Sequence, residues 1–200
     1  MRVLAIIPSR YNSNRFPGKP LADIMGKSMI QRVFEQCQKC IQLNRIIVAT
    51  DDERISFHVK SFGGEVMMTS KDHITGSDRC SEVLNAIDDR FDIVVNIQGD
   101  EPYINPEEIS KVLTLFEDED CEIGTLAKKI SDYAVYISPD NPKVFFDKNN
   151  IAVSFERNGT LNEEEFKKTD FFQHIGIYAF KSEILSKIIK LDRSKNEIKN

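Results

Sequence analysis

The stretch Ile6-Ile7-Pro8-Ser9-Arg10-Tyr11-Asn12-Ser13-Asn14-Arg15-Phe16-Pro17-Gly18-Lys19-Pro20 decides how the rest of the chain is read. It leaves an apolar run, Val3 to Ile7, that has the length and β-branched content of a buried strand. The pattern therefore predicts a strand over 2–7 and a loop over 8–20, because Pro17, Gly18 and Pro20 punctuate its end. The loop carries three cations, Arg10, Arg15 and Lys19. A cationic loop leaving the first strand of an α/β sheet is placed to meet an anion, since ligands bind outside the carboxyl ends of the strands. The expected anion is a polyphosphate, which suits the planar donor fork of Arg and the point charge of Lys. The loop is not the G-x-x-x-x-G-K-[S/T] phosphate loop, because Pro20 follows Gly18-Lys19 and Ser13 stands where the first glycine belongs. Nor is it the G-x-G-x-x-G dinucleotide loop. A merely solvated cationic loop is the competing reading.

Outward from that loop, strand and helix signals alternate. Leu21 to Ile24 is a short extended piece with a turn at Gly26-Lys27, and Ser28 caps a helix expected over 29–41. Arg45 to Thr50 is the second strand, and Asp51-Asp52 caps a helix carrying Ile55, Val59 and Phe62. Gly63-Gly64 stops it before a short strand, Glu65 to Met68. A polar loop over 70–79 leads to a helix with Val83, Leu84 and Ile87 inward, then to an apolar, central strand, Asp92 to Ile97. Asn105-Pro106-Glu107-Glu108 opens a helix running to Phe116. Further strands are expected over 123–130 and 174–180, a hairpin around Asp147-Lys148-Asn149-Asn150, and a last helix near 182–190 before a polar tail. This alternation predicts an α/β fold, mostly parallel, with helical crossovers.

At 200 residues, with 40% hydrophobic and 30% charged residues, the chain has the bulk of one domain, with or without a small appendage. A net charge of −5 argues against non-specific nucleic-acid binding. No secretory leader is expected, and no apolar run approaches the ~18 residues of a membrane span, so a cytoplasmic protein is predicted. The four cysteines, Cys37, Cys40, Cys80 and Cys121, lack the paired clusters of a zinc site and read as reduced structural thiols.

Three constellations are candidates for chemistry. Asp100 follows the central strand at the sheet edge shared with the cationic loop. It is placed either to hold a Mg²⁺ that bridges phosphate oxygens or only to cap the turn before Pro102, and Glu101 is its neighbour. Thr75-Gly76-Ser77-Asp78-Arg79 offers a close-approach glycine, hydroxyls and a cation, although Ser77 also suits a helix N-cap. His174, Gly176 and Tyr178 alternate along one strand and share a face, with Arg157 upstream.

Several of these segments together resemble the 3-deoxy-manno-octulosonate cytidylyltransferases, or CMP-Kdo synthetases. They are Ile6 to Leu21, Val48-Ala49-Thr50-Asp51, Gly63-Gly64-Glu65-Val66, His73 through Arg79, Val95-Asn96-Ile97-Gln98-Gly99-Asp100-Glu101-Pro102, Asn141-Pro142-Lys143-Val144 and His174-Ile175-Gly176-Ile177-Tyr178. The resemblance runs from Met1 to about Lys190. It implies a Rossmann-like, three-layer fold: one nucleotidyltransferase domain with a sugar-binding and dimerisation extension over about 130–180. It also implies Mg²⁺ dependence and CMP transfer from CTP to the sugar acid Kdo, in a homodimer serving lipopolysaccharide synthesis. By similarity, Arg10, Arg15 and Lys19 hold the triphosphate, Ser77 and Arg79 seat the cytidine, and Asp100 is a metal ligand. Arg10, Lys19 and Asp100 form the catalytic set, and Gln98, Arg157, His174 and Tyr178 surround the Kdo.

The chain departs from the family pattern at two places. It is shorter at its carboxyl end, where the family carries a Glu-Gln-Leu-Arg helix and an Asp-Thr-Pro-Glu-Asp motif whose first aspartate is a further metal ligand. Around Arg157 the usual Ser-Arg becomes Glu156-Arg157-Asn158-Gly159. These departures keep two alternatives in view: a cytidylyltransferase for another sugar acid, such as amino-Kdo or a sialic acid, and a catalytically silent nucleotide-binding homologue.

Overall fold

The computed structural model describes residues 1–12 and 16–191. Arg15 and the polar tail over 192–200 lie outside the described residues. By its internal contacts the chain forms two compact units. One is Met1–Gly124 with the residues from Ile177 onward, and the other is Thr125–Gly176. In chain order the elements are β1 (Val3–Ser9), β2 (Asp23–Ile24), β3 (Lys27–Ser28), α1 (Met29–Gln38), β4 (Arg45–Thr50), α2 (Glu53–Ser61), β5 (Val66–Met68), α3 (Gly76–Ala86), β6 (Ile93–Asn96) and α4 (Pro106–Thr114). Then come β7 (Ile123–Ile130), α5 (Tyr133–Ile137), β8 (Lys143–Phe146), β9 (Ala152–Glu156), α6 (Glu163–Phe166), β10 (Phe171–Lys181) and α7 (Ser182–Ile188).

The first unit is built on parallel strands in the order β5-β4-β1-β6, and the end of β10 pairs antiparallel with β6. Ile6 sits opposite Ile47 on one side and opposite Asn96 on the other. All of β1 except Pro8 is buried, so both its faces need cover. Leu4 and Ile6 join a cluster with Cys80 and Val83 of α3 and Leu185 of α7. The alternate residues Val3, Ala5 and Ile7 face the other way, where α1 packs on β1 and β4 and touches α4. The sheet thus lies between helical layers.

Several boundaries differ from the sequence pattern for local reasons. Helix α1 ends at Gln38, short of 41, because Lys39 N and Cys40 N bond back to Gln36 and Cys37 carbonyls in a tightened last turn, which leaves Ile41 95% exposed. The turn expected at Gly26-Lys27 sits one residue earlier. Met25 and Gly26 both take positive φ (53° and 82°), as a two-residue turn joining β2 to β3 requires. Helix α3 starts inside the expected polar loop, with Thr75 rather than Ser77 as N-cap: Thr75 accepts from Asp78 N and Asp78 accepts from Thr75 N.

In the second unit, β8 and β9 form the expected antiparallel hairpin, with Val144 opposite Phe155. Gln173 of β10 sits opposite Lys143. Tyr136, Phe166, Phe171 and Ile130 make its core. The short helices α5 and α6 were not expected, although Asn162 and Glu165 spell out the capping box that starts α6.

Candidate active site

The chain order around β1 creates the site. From β1 it runs outward to β4 and β5, then returns to β6 on the other side of β1. The strand order therefore reverses between β1 and β6, and ligands of open α/β sheets bind at such a reversal, beyond the carboxyl ends. The two segments leaving these strands are Ser9-Arg10 and Ile97 to Asp100. Ile97 N donates to Ile6 O at 3.0 Å, which holds them side by side. Between them lies a cleft of about 460 Å³ lined by Pro8, Ser9, Arg10, Lys19, Pro20, Gln98, Gly99 and Asp100. Four residues predicted from sequence, Arg10, Lys19, Gln98 and Asp100, are thus brought together.

Gly99 is required by this approach. A Cβ there would stand 2.6 Å from Ser9 Oγ and 2.8 Å from Pro8 O, closer than any side chain tolerates. Gly99 was missed as a functional position, although the Gln-Gly-Asp turn after a buried strand was the available signal. Lys19 Nζ donates to Asp100 Oδ2 at 2.6 Å. Both groups are partly exposed (35% and 49%), so the pair contributes about 0–1 kcal/mol and is cheaply opened. Burial, then Asp100 and Glu108, push the Glu101 carboxyl above the ordinary range.

Arg79 turns inward. Its side chain is 3% exposed, and Nη2 donates to Asp51 Oδ2 at 2.9 Å while Nη1 donates to Thr69 Oγ1. It ties α3 to the ends of β4 and β5, so as observed it supports the site wall rather than presenting a free cation. Ser77 is half-buried in the first turn of α3. The preceding Gly76 approaches Pro8, whose Cγ lies 3.5 Å from where its Cβ would be. The start of α3 therefore adjoins a residue of the cleft wall.

Tyr178 lies in the first unit, opposite Asn96, with its ring stacked on Phe180. Burial raises its phenol pKa. Arg157 and His174 lie in the second unit. The Arg157 side chain is exposed, while its carbonyl accepts from Lys143 Nζ at 2.5 Å. Lys143 is only 1% exposed and also donates to Ser138 O at 2.8 Å; burial lowers its pKa. His174 Nε2 bonds Thr125 Oγ1 at 3.0 Å, its ring meets Phe155 edge-on, and burial lowers its pKa. Cys37 is buried and its pKa is pushed up to about 12, chiefly by desolvation, which fits an inert structural thiol.

Among the described residues no group of three or more His, Cys, Asp or Glu side chains could cage a metal. Mg²⁺ does not need one, because it is usually held by one or two carboxylates together with substrate phosphates and water. Asp100, about half exposed in the lining of the cleft, fits that donor set.

A cytidylyltransferase family profile matches residues 4–198. The chain is 45% identical to the 3-deoxy-manno-octulosonate cytidylyltransferase of Parabacteroides distasonis, over 99% of this chain and 82% of that protein. It is 43% identical to the 8-amino-3,8-dideoxy-manno-octulosonate cytidylyltransferase of Shewanella baltica, over 90% of this chain and 75% of that one. It superposes on CMP:2-keto-3-deoxy-manno-octonic acid synthetase, solved with CTP, with a TM-score of 0.91 at 36% identity, covering 100% of this chain and 82% of the other. With its α/β sheet, its cleft at the reversal of strand order and these likenesses, the chain belongs to the cytidylyltransferase family, among the 3-deoxy-manno-octulosonate cytidylyltransferases.

Proposed function

We propose that the protein transfers CMP from CTP to 3-deoxy-manno-octulosonate, releasing pyrophosphate. The observation that carries this reading is the convergence of Arg10, Lys19, Gln98 and Asp100 on one cleft, beyond the strands where an α/β sheet binds nucleotides. The anomeric hydroxyl of the sugar acid attacks the α-phosphorus and gives up its proton to water. The bond to the oxygen bridging α- and β-phosphorus breaks, and pyrophosphate leaves with that electron pair.

The chain's own residues supply positioning and charge. Arg10 and Lys19 hold the triphosphate, and their cations stabilise the charge gathering on the departing pyrophosphate. Lys19 is latched to Asp100 at rest, and a phosphate is the stronger partner for an exposed ammonium. Binding CTP therefore exchanges Lys19 from carboxylate to phosphate and frees Asp100 as a ligand for Mg²⁺. When bound, Mg²⁺ polarises phosphate oxygens as a Lewis acid. The backbone at Gly99 keeps Asp100 within reach of the loop that carries the cations.

The assignment of Ser77 and Arg79 to the cytidine, and of Gln98, Tyr178, Arg157 and His174 to the sugar acid, rests on the sequence resemblance. Arg157 is the natural partner for the sugar's carboxylate, since its guanidinium is exposed and offers a planar fork. Arg79, as placed, acts through the wall it braces. The proposal includes a cytoplasmic homodimer working in lipopolysaccharide synthesis. No described helix is long and apolar enough to cross a membrane. Val153 and Phe155, exposed and alternating along the terminal strand β9, and Ile151 just before it are the apolar surface a second copy would cover.

A second reading, transfer to the 8-amino sugar acid, is favoured by the Shewanella baltica relative. Pyrophosphate release from CTP and Mg²⁺, measured with Kdo, with 8-amino-Kdo and with neither, decides. Release that depends on Kdo is the expected result. Release only with the amino sugar moves the assignment to the second reading. Absence of release with either, while CTP still binds, refutes transferase function.

A further inference from the structure

Tyr11 lies directly after Arg10 in the cationic loop and makes two contacts that the transfer chemistry leaves unexplained. Its carbonyl accepts from Gly18 N at 2.8 Å, which joins the near end of the loop to the far end. Its ring covers Gly18 so closely that a Cβ there would lie 3.0 Å from the ring's Cζ. Gly18 also takes φ +74°, so glycine is needed both for conformation and for clearance. Arg54, on the first turn of α2, lies over the ring, its guanidinium carbon 3.3 Å from the centroid.

Arg54 is itself fixed. Its Nε and Nη2 donate to the two carboxylate oxygens of Asp52 at 2.9 and 2.7 Å, and its own backbone N–H donates to the same carboxylate, which caps α2. That bonding to Arg54 is the largest cause holding the Asp52 carboxyl below its ordinary range. A side chain 58% exposed is thus pinned by a bidentate pair and a ring face, with its charge largely matched by Asp52.

We infer that Arg54 is a positioning residue for the triphosphate, acting through Tyr11. It clamps the Tyr11 ring onto Gly18. Arg10 is covalently next to Tyr11 and Lys19 next to Gly18, so the clamp sets the separation of the two phosphate-holding cations. Consecutive Cα atoms are only ~3.8 Å apart, so little slack remains between clamp and cations. A loop held this way meets the triphosphate without first paying to order its backbone. This inference rests on the reading of the cleft as the triphosphate site.

The test is steady-state kinetics on the full chain, titrating CTP at saturating Kdo and Kdo at saturating CTP. The variants are Arg54→Ala, Tyr11→Leu, their combination and Arg54→Lys, with Lys19→Ala as the control for the cleft. Arg54→Ala and Tyr11→Leu should each raise the KM for CTP on the order of threefold, the size an exposed cation–ring contact supports. The KM for Kdo should stay unchanged. The double variant should be no worse than either single one, because both break the same clamp. Arg54→Lys keeps the charge but loses the flat stack and should fall between. Additive losses would mean that Arg54 touches phosphate itself, and the inference fails. An unchanged KM for CTP in Arg54→Ala, beside a raised one in Lys19→Ala, also overturns it while leaving the cleft reading intact. An unchanged KM in Lys19→Ala removes both.

Discussion

Arg79→Met separates what the sequence suggests about this residue from what its surroundings demand. The guanidinium is 3% exposed and donates to Asp51, whose carboxylate is 16% exposed. Methionine fills much of the space but leaves the Asp51 carboxylate half of the pair buried and unmatched, and Thr69 Oγ1 loses its donor. Removing one partner of a buried pair costs about 3–5 kcal/mol, and the residual exposure of Asp51 points to the lower end, about 3 kcal/mol. For a chain of this size that corresponds to a melting temperature lower by about 6–12 °C. Urea unfolding and thermal melts followed by circular dichroism, without nucleotide, read the loss directly. The combined Arg79→Met and Asp51→Leu variant should recover part of it, since no orphaned charge then remains. Stability within about 0.5 kcal/mol of the parent, coupled to weakened CTP binding, would refute this reasoning. It would return Arg79 to the role of a direct nucleotide contact.

Two other perturbations act on single contacts. Gly99→Ala places a methyl within 2.6 Å of Ser9 Oγ and must push the Asp100 turn away from the cationic loop. A displacement near 1 Å should lower kcat/KM for CTP on the order of a hundredfold, with near-native circular dichroism. His174 is partly buried and that burial lowers its pKa, so the unfolded chain takes up its proton first as the pH falls. Its contribution to stability is complete above the unfolded pKa of ~6.5 and is lost as the pH drops through the lower folded value. The decline in stability measured by urea unfolding from pH 7.5 to 5 should be shallower in His174→Gln, and an identical decline in both proteins would contradict it.

The site was legible in the sequence where it depends on the residues leaving a buried strand. Val3 to Ile7 and Asp92 to Ile97 are apolar almost throughout, which marks them as interior strands, and their polar exits then had to share an edge. That logic placed Arg10, Lys19 and Asp100 at one edge on sequence grounds, the family resemblance added Gln98, and the cleft unites them. It was blind where a side chain's partner lies far along the chain. Nothing local in Thr75-Gly76-Ser77-Asp78-Arg79 shows that Arg79 turns inward to Asp51, 28 residues earlier. The clamp of Arg54 on Tyr11 is likewise invisible, because the two residues lie far apart along the chain. The Thr75 cap was different: Thr75 with Asp78 three residues on is a capping box, and Ser77 drew attention from it. Lys143 directly precedes the expected hairpin, where a lysine is normally exposed, and the facing carbonyls of Ser138 and Arg157 explain its burial.

The most direct test of the site is CTP affinity by titration calorimetry, with and without Mg²⁺, for the parent and for Asp100→Asn. If Asp100 is the carboxylate that joins the metal to the triphosphate once Lys19 has left it, Mg²⁺ should tighten CTP binding to the parent. Most of that gain should vanish in Asp100→Asn, while binding without metal is retained. The same gain from Mg²⁺ in both proteins would contradict the account and remove Asp100 from the metal site.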